Sequence, residues 1–590
     1  MAGKEHVRCT GVSALGGGGG ADFKRAPARP GVFERVAQRF HWLFGNPAYQ
    51  NCRTEWLRIR DKQLPFAGEF VDHDEGRQGT KRDREALDGE AWRACLVFAG
   101  GMASNATPQS IEWFRLAFAD ADLESDWAAR ANLDARMGIL NKALNGSNFY
   151  NAAHGAFMDL PFGQAPVGMF EDAFRGVRFE NYPVGCYAYE VDHTGLPNCF
   201  AVRRRMTGYQ LCQRFGMDSL PENAQNVVKS GGGLRQSWDV CWLVEKNADY
   251  DLNKLGSGFQ EWASYYWLDK SGNEFVRVSG FRDFPVAIAR YQVIGQQAYG
   301  LGPGWYADSD ARMLYKIIDD AFKNAELFVK PPLQVPAGME VDFEPGRVST
   351  QSAPGMKAET LFSLAPVFRE LFEIGEGVRD KINRAYNVNL FTMLDQEALR
   401  SGQRTAYELS LRNQERLQQL GPVAERLNTE FLGAVIERAY AILERHGAFP
   451  PFELDGAYQD SEIAIEYTSP LAQAQKMSGI DNMNLLLSMV ANMAQFMPET
   501  FRLLDAEAFV RAFAEKTGVE TKLLKSPDAY RAELEALAKQ AEAQAAAERE
   551  AKAAPAVESY TNAARNVMEL GQGGNPALAN LMSAIGGGGG

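Results

Sequence analysis

The chain has 590 residues, 45% hydrophobic and 23% charged, a balance that folds into several modules with a large core and excludes wholesale disorder. Its 75 acidic and 62 basic side chains leave a net charge of −13, which argues against a protein whose main task is gripping nucleic acid, since that rests on clustered Lys and Arg. No apolar run reaches the roughly 18 residues of a membrane span, no secretory signal is visible, and the seven cysteines form no CxxC pair, so a reduced, cytosolic setting is expected.

Residues 1–50 are rich in Gly, Pro and Ala and read as an irregular arm, with aromatics at Phe40, Trp42 and Phe44. Two runs of five glycines, Gly16 to Gly20 and Gly586 to Gly590, read as linkers and carry no fold information. Helices are expected from Glu90 onward, over 123–144 and over 149–160. The period then changes to two. Strands are expected over 178–191, 199–206, 238–244, 262–268 and 274–278, parted by turns such as Asp192-His193-Thr194-Gly195 and Ser271-Gly272-Asn273. Within them Arg204 alternates with Arg203 and Arg205, which points to a solvated sheet face and not to one basic patch. The region reads as α+β, a meander with helices on one face.

A helix over 309–329 follows, with Met313, Ile317, Ile318, Phe322 and Leu327 near one stripe. Residues 331–365, rich in Pro, Gly and Val, predict a short β-containing projection, and Pro366 suits the first turn of a helix running through Tyr386. Asn387 to Gly402 connects to the longest periodic stretch, Gln403 to His446. Apolar residues recur there at helical spacing from Leu409 through Leu427 and Phe431 to Leu443. Thr405 and Glu408 form a capping box at its start. Pro422 is expected to bend it just after Gly421. Arg445, His446 and a left-handed Gly447 end it before Pro450-Pro451. Ile463, Ile465 and Tyr467 alternate as one more strand. Residues 470–518 read as methionine-rich helices (Met477, Met483, Met489, Met493, Met497), and 528–553 as an Ala/Glu/Gln/Lys helix with a thin apolar stripe.

No phosphate-binding loop, HExxH, GxSxG or zinc-spaced Cys/His set appears. Gly300, Gly302 and Gly304 precede a helix, but Pro303 and the spacing do not fit a dinucleotide turn. His193, Cys199 and Cys212 lack metal-ligand spacing, and none of the abundant carboxylates stands out as an acid–base pair. Neither a cofactor nor an enzymatic activity is expected.

Arg404-Thr405-Ala406-Tyr407-Glu408-Leu409, with Gly421-Pro422 and Ile436-Glu437-Arg438, resembles the head-to-tail connector (portal) proteins of short-tailed, T7-like phages. Trp113 to Leu116, Ser147 to Tyr150, Tyr299 to Gly304, Pro331 to Pro336 and Ser469 to Gln475 agree in order, so the resemblance spans about residues 50 to 530. It departs where Tyr407 replaces a second Thr and Leu301 an Arg. The resemblance implies an N-terminal arm (1–50), an α/β wing (51–304), a stem helix (305–330), a small clip (331–365) and a second stem helix (366–386). A tunnel loop (387–402), a long wing helix and strand (403–469) and a helical crown (470–590) would follow.

Twelve such subunits would ring a double-stranded DNA channel at a capsid vertex of the virion, after assembly in the host cytoplasm. Lys381, Arg384, Leu390, Phe391, Met393, Arg400 and Arg404 would face the channel. Thr405, Glu408, Gly421 and Pro422 would cap and bend the long helix, and Pro331, Pro332, Pro336 and Pro345 would form the clip. Implied partners are terminase, tail adaptor and tail proteins, and the major capsid and scaffolding proteins. The alternatives are a cytosolic helical scaffold and an enzyme with an unpatterned carboxylate site.

Overall fold

Helices begin in this chain where a side chain or a proline takes care of the first unpaired backbone N–H groups. In the computed structural model, Asn46 accepts from the Ala48 amide at 3.0 Å and Pro47 occupies the first helical turn. The structure describes residues 31–71, 87–118, 127–337 (apart from 173, 231–232, 252, 255 and 270), 357–360, 368–392, 420–450, 463–469, 486–490, 505, 508–510 and 527–553. The chain divides into two compact units, Met1–Gly518 and Val519–Gly590.

Helices α1 (Val32–Gly45) and α2 (Pro47–Lys62) lead into α3 (Glu90–Ala106), strand β1 (Phe114–Phe118), α4 (Trp127–Gly146) and α5 (Phe149–Asp159). The irregular reading of residues 1–50 is therefore corrected from residue 32 onward. Val36, Phe40 and Leu43, three and four residues apart, bury one face of α1 in the core. The Phe40 ring sits edge-on to Trp267 with centroids 4.9 Å apart. Glycine-rich flanks had hidden a regular helical period.

Strands β2 (Gln164–Asp172), β3 (Gly176–Asn181), β4 (Tyr187–Val191) and β5 (Pro197–Thr207) come next, then helices α6 (Gly208–Phe215) and α7 (Glu222–Lys229). Strands β6 (Ser237–Lys246), β7 (Trp262–Leu268), β8 (Phe275–Phe281) and β9 (Val286–Arg290) complete the region. Strands β4 to β8 form the expected antiparallel meander in sequence order, and β3-β2-β9 form a second, three-stranded sheet. The single strand expected over 178–191 is thus two strands in different sheets, parted at Pro183. Strands β2 and β9 were not anticipated because nearly all their residues are buried, leaving no alternation to read. In the meander the Trp242 indole stacks on Tyr266 at 5.5 Å and donates to Ser264 Oγ at 2.9 Å, so a large apolar group is buried without an orphaned donor.

Helix α8 (Pro303–Val329) then leaves the sheets, strand β10 (Leu333–Gln334) pairs with β11 (Glu359–Thr360), and α9 (Phe368–Ala385) packs back along α8. The two-residue pairing is the β element expected in the projection. The glycines before α8 serve a close backbone crossing: Gly163 takes φ +111, and a Cβ there would run into the Gly300 carbonyl.

The long helix is described from Gly421 onward: α10 (Gly421–Leu427), a π turn (Asn428–Gly433) and α11 (Ala434–Arg445). Its expected start, with Thr405 and Glu408, lies outside the described residues. Pro422 stands in the first turn of α10, where no N–H is needed, so it does not interrupt a described helix. Within the described stretch, the departure from α geometry lies at the π turn. The C-terminus follows expectation: Gly447 has φ +64 and donates to Glu444 O, while Ala448 donates to Leu443 O at 3.0 Å. Strand β12 (Ile463–Tyr467) pairs antiparallel with β1, Phe114 facing Tyr467. Most of 470–518 lies outside the described residues. In the second unit, α12 (Pro527–Ala553) carries a thin apolar row of Tyr530, Leu534 and Leu537, all exposed.

Candidate functional site

The α8–α9 pair is clamped at one end and carries exposed apolar side chains toward the other. Pro303, Ala307, Ala311 and Leu314 bury the start of α8, whereas Phe328 and Val329 at its far end are exposed. The base is fixed by hydrogen bonds that cross between elements. Gln63 on the chain after α2 donates to Gly304 O at 2.9 Å and accepts from Tyr386 Oη at 3.0 Å, tying the start of α8 to the end of α9. Asn387, at φ 56, donates to Tyr291 Oη at 3.1 Å. The Trp305 and Trp56 indoles share the Phe162 carbonyl at 2.8 and 3.1 Å.

Along α9, Arg379 donates to Asp88 at 2.8 Å and Asn383 to Glu90 at 2.7 Å, binding the helix to the start of α3. The hydrogen bond from Arg93 holds the Glu90 carboxyl below the usual range. Past this base, apolar side chains face outward. Phe322 is 61% exposed, Phe372 60% and Ile374 54%.

The sequence-predicted residues distribute as follows. Lys381 and Arg384 are exposed on α9. Leu390 and Phe391 are partly buried and pack on the chain's own core, with Phe391 6.3 Å from Phe98 between centroids. Pro331, Pro332 and Pro336 flank β10, half-buried. Gly421 and Pro422 open α10. Met393, Arg400, Arg404, Thr405, Glu408 and Pro345 lie outside the described residues.

Three arginine sites were not anticipated. Arg290 makes a two-pronged pair with Glu430 of the π turn, at 2.6 and 2.8 Å, which Arg426 joins at 2.8 Å. Arg178, Arg204 and Arg214 converge on Glu180, and they keep its carboxyl below the usual range against the opposing effect of burial. Arg203 and Arg205 instead bind Asp239, so the arginine triplet does split between faces but is ion-paired, not merely solvated. Arg438 is 5% exposed, and burial lowers its pKa to about 10. The available signal was an arginine inside the apolar stripe of Val435, Ile436, Ala439 and Ile442.

Among the described residues, no group of three or more His, Cys, Asp and Glu is placed to hold a metal ion. No described helix is long and apolar enough to cross a membrane. The described residues form an α+β body whose α8–α9 pair carries exposed apolar side chains. The chain belongs to the bacteriophage head to tail connecting protein family, whose model matches residues 37–524. It is 28% identical over 482 residues to the probable portal protein of Bordetella phage BPP-1, covering 80% of this chain and 86% of that one. It is 29% identical over 504 residues to the portal protein of Salmonella phage epsilon15, covering 83% and 88%. The family match favours neither the cytosolic scaffold nor the carboxylate enzyme.

Proposed function

We propose that this connector subunit closes into a ring, a dodecamer by analogy with its family, at one vertex of the phage head, and that the ring conducts double-stranded DNA during packaging and ejection. The observation carrying this reading is the α8–α9 pair, whose apolar residues Phe322, Phe372 and Ile374 stay uncovered in a single chain. Neighbouring copies covering that face would form the stem. The projection at β10–β11, with Pro331, Pro332, Pro336 and Pro345, would be the clip that meets terminase and then tail proteins. The opposite end would contact capsid and scaffolding proteins during assembly in the host cytoplasm.

Lys381, Arg384, Met393, Arg400 and Arg404 are the candidates for facing DNA, while Leu390 and Phe391 anchor the tunnel segment to the body. Few cations on an acidic chain suit a conduit, because tight neutralisation of phosphates would stall movement. The role is structural. Native mass spectrometry and negative-stain imaging of the purified chain should show closed rings near the family's number; a monomer persisting at micromolar concentration would overturn the reading.

A further inference from the structure

At the C-terminal end of α11 the chain forms a solvent-open hollow of about 540 Å³, whose lining includes Glu171, Ser257, Gln260, Arg282, Arg438, Arg445 and His446. We propose that this hollow is a binding site for a multivalent oxyanion of the phosphate class. The argument starts from Arg438, the residue of the Ile436-Glu437-Arg438 motif that the assembly role leaves unexplained. Its guanidinium is buried, yet it rests on two backbone carbonyls, Met169 O at 3.1 Å and Asp283 O at 2.6 Å. The Asp283 carboxylate lies 3.8 Å away and is itself 40% exposed. A buried cation held mostly by neutral groups is short of negative charge.

The neighbours deepen that shortage. Arg445 pairs with Glu171 at 3.0 Å and Asp283 at 3.1 Å, so both nearby carboxylates are already shared. Arg282 lies exposed on the rim and makes no hydrogen bond or ion pair among the described residues. Three arginines thus line the hollow with one carboxylate, Glu171, while Asp283 lies beside it. The remaining lining supplies donors: the Ser257 hydroxyl, the Gln260 amide and the His446 ring. His446 Nδ1 lies 2.8 Å from Ile442 O and donates to it, which leaves Nε2 as its other ring nitrogen. The Ile442, Glu444 and Leu443 carbonyls near the end of α11 accept from the amides of His446, Gly447 and Ala448, and the cationic Arg438 and Arg445 counter the negative pole of the helix there. Forked guanidiniums with hydroxyl and amide donors match the geometry of phosphate oxygens.

The phosphate can come from a free ion or from a nucleic-acid backbone. The test is titration calorimetry of the full chain with sodium tripolyphosphate at low salt, repeated with Arg282→Gln and Glu171→Gln. Neither side chain is buried in the core, and thermal melts check that each variant folds. Saturable binding by the parent chain is expected, weakened up to about fivefold in Arg282→Gln and tightened by a similar factor in Glu171→Gln. Opposite shifts of that kind support the site. Competition by a short DNA duplex would assign the phosphate to a nucleic-acid backbone, and no competition would assign it to a free ion; both agree with the proposal. Absence of saturable binding, identical affinities in all three chains, or binding of a glutamate-rich peptide but not of tripolyphosphate would overturn it.

Discussion

The carboxyl of Asp159, the last residue of α5, makes no hydrogen bond or ion pair among the described residues; though the residue is only half-buried, loss of hydration pushes this carboxyl from 3.8 up to about 7. Because the folded pKa is raised, the folded chain holds this proton more tightly than the unfolded one. Stability is therefore lost as pH climbs from about 4 to about 7, and the penalty is complete above that. Asp159→Asn removes it. The variant should equal the parent near pH 4 and exceed it by on the order of 2 kcal/mol near pH 8, as read from paired denaturant melts at both ends. Equal stability near pH 8 would show the carboxyl to be solvated. Single residues were legible where local geometry governs them, as with the left-handed Gly447. Arg438 was not, because its partners are the carbonyls of Met169 and Asp283, which only the tertiary fold brings to α11.

Helices announced themselves through period and caps, and the meander through alternation and turns. What escaped was governed by burial on both faces, as in β2 and β9, where uniform apolarity carries no period. The bend expected at Pro422 falls at the edge of the described residues, where Pro422 stands in the first turn of α10. Since Pro422 stands in the first turn of α10, Pro422→Ala should change stability by less than about 1 kcal/mol and leave ring diameter unaltered in negative-stain images. A loss of ring closure would show that the proline constrains more than one helical turn. The π turn is the more sensitive place, since it presents Glu430 to Arg290 and so fastens the long helix to β9.

For the whole molecule, the ordered run of short motifs pointed to the connector family, and the matched region of residues 37–524 agrees with that extent. The arrangement of surfaces was less legible, because whether an apolar stripe is core or interface depends on what packs over it. The stripe holding Met313, Ile317, Phe322 and Leu327 reads uniformly, yet Leu327 and Phe322 stay exposed while Ile317 packs on the core. Replacing Phe322 and Phe372 together by Gln should leave the monomer's melting temperature within a few degrees of the parent, since neither is buried. Ring yield in native mass spectrometry should fall sharply. Rings at full yield would show that copies meet through other surfaces.

The pairing of β1 with β12 has a consequence for how the subunit is made. Phe114 faces Tyr467, and the Trp113 carbonyl accepts from the amides of Thr468 and Ser469 at 2.9 and 3.1 Å. During translation the first of these strands leaves the ribosome with its edge open and waits while the protruding helix pair and the long helix are synthesised. Among the described strands, this pairing therefore closes only after α8, α9, α10 and α11 have been made. A chain ended before residue 463 lacks this pairing and leaves the β1 edge open, so limited proteolysis should cut it there more readily than in the full chain.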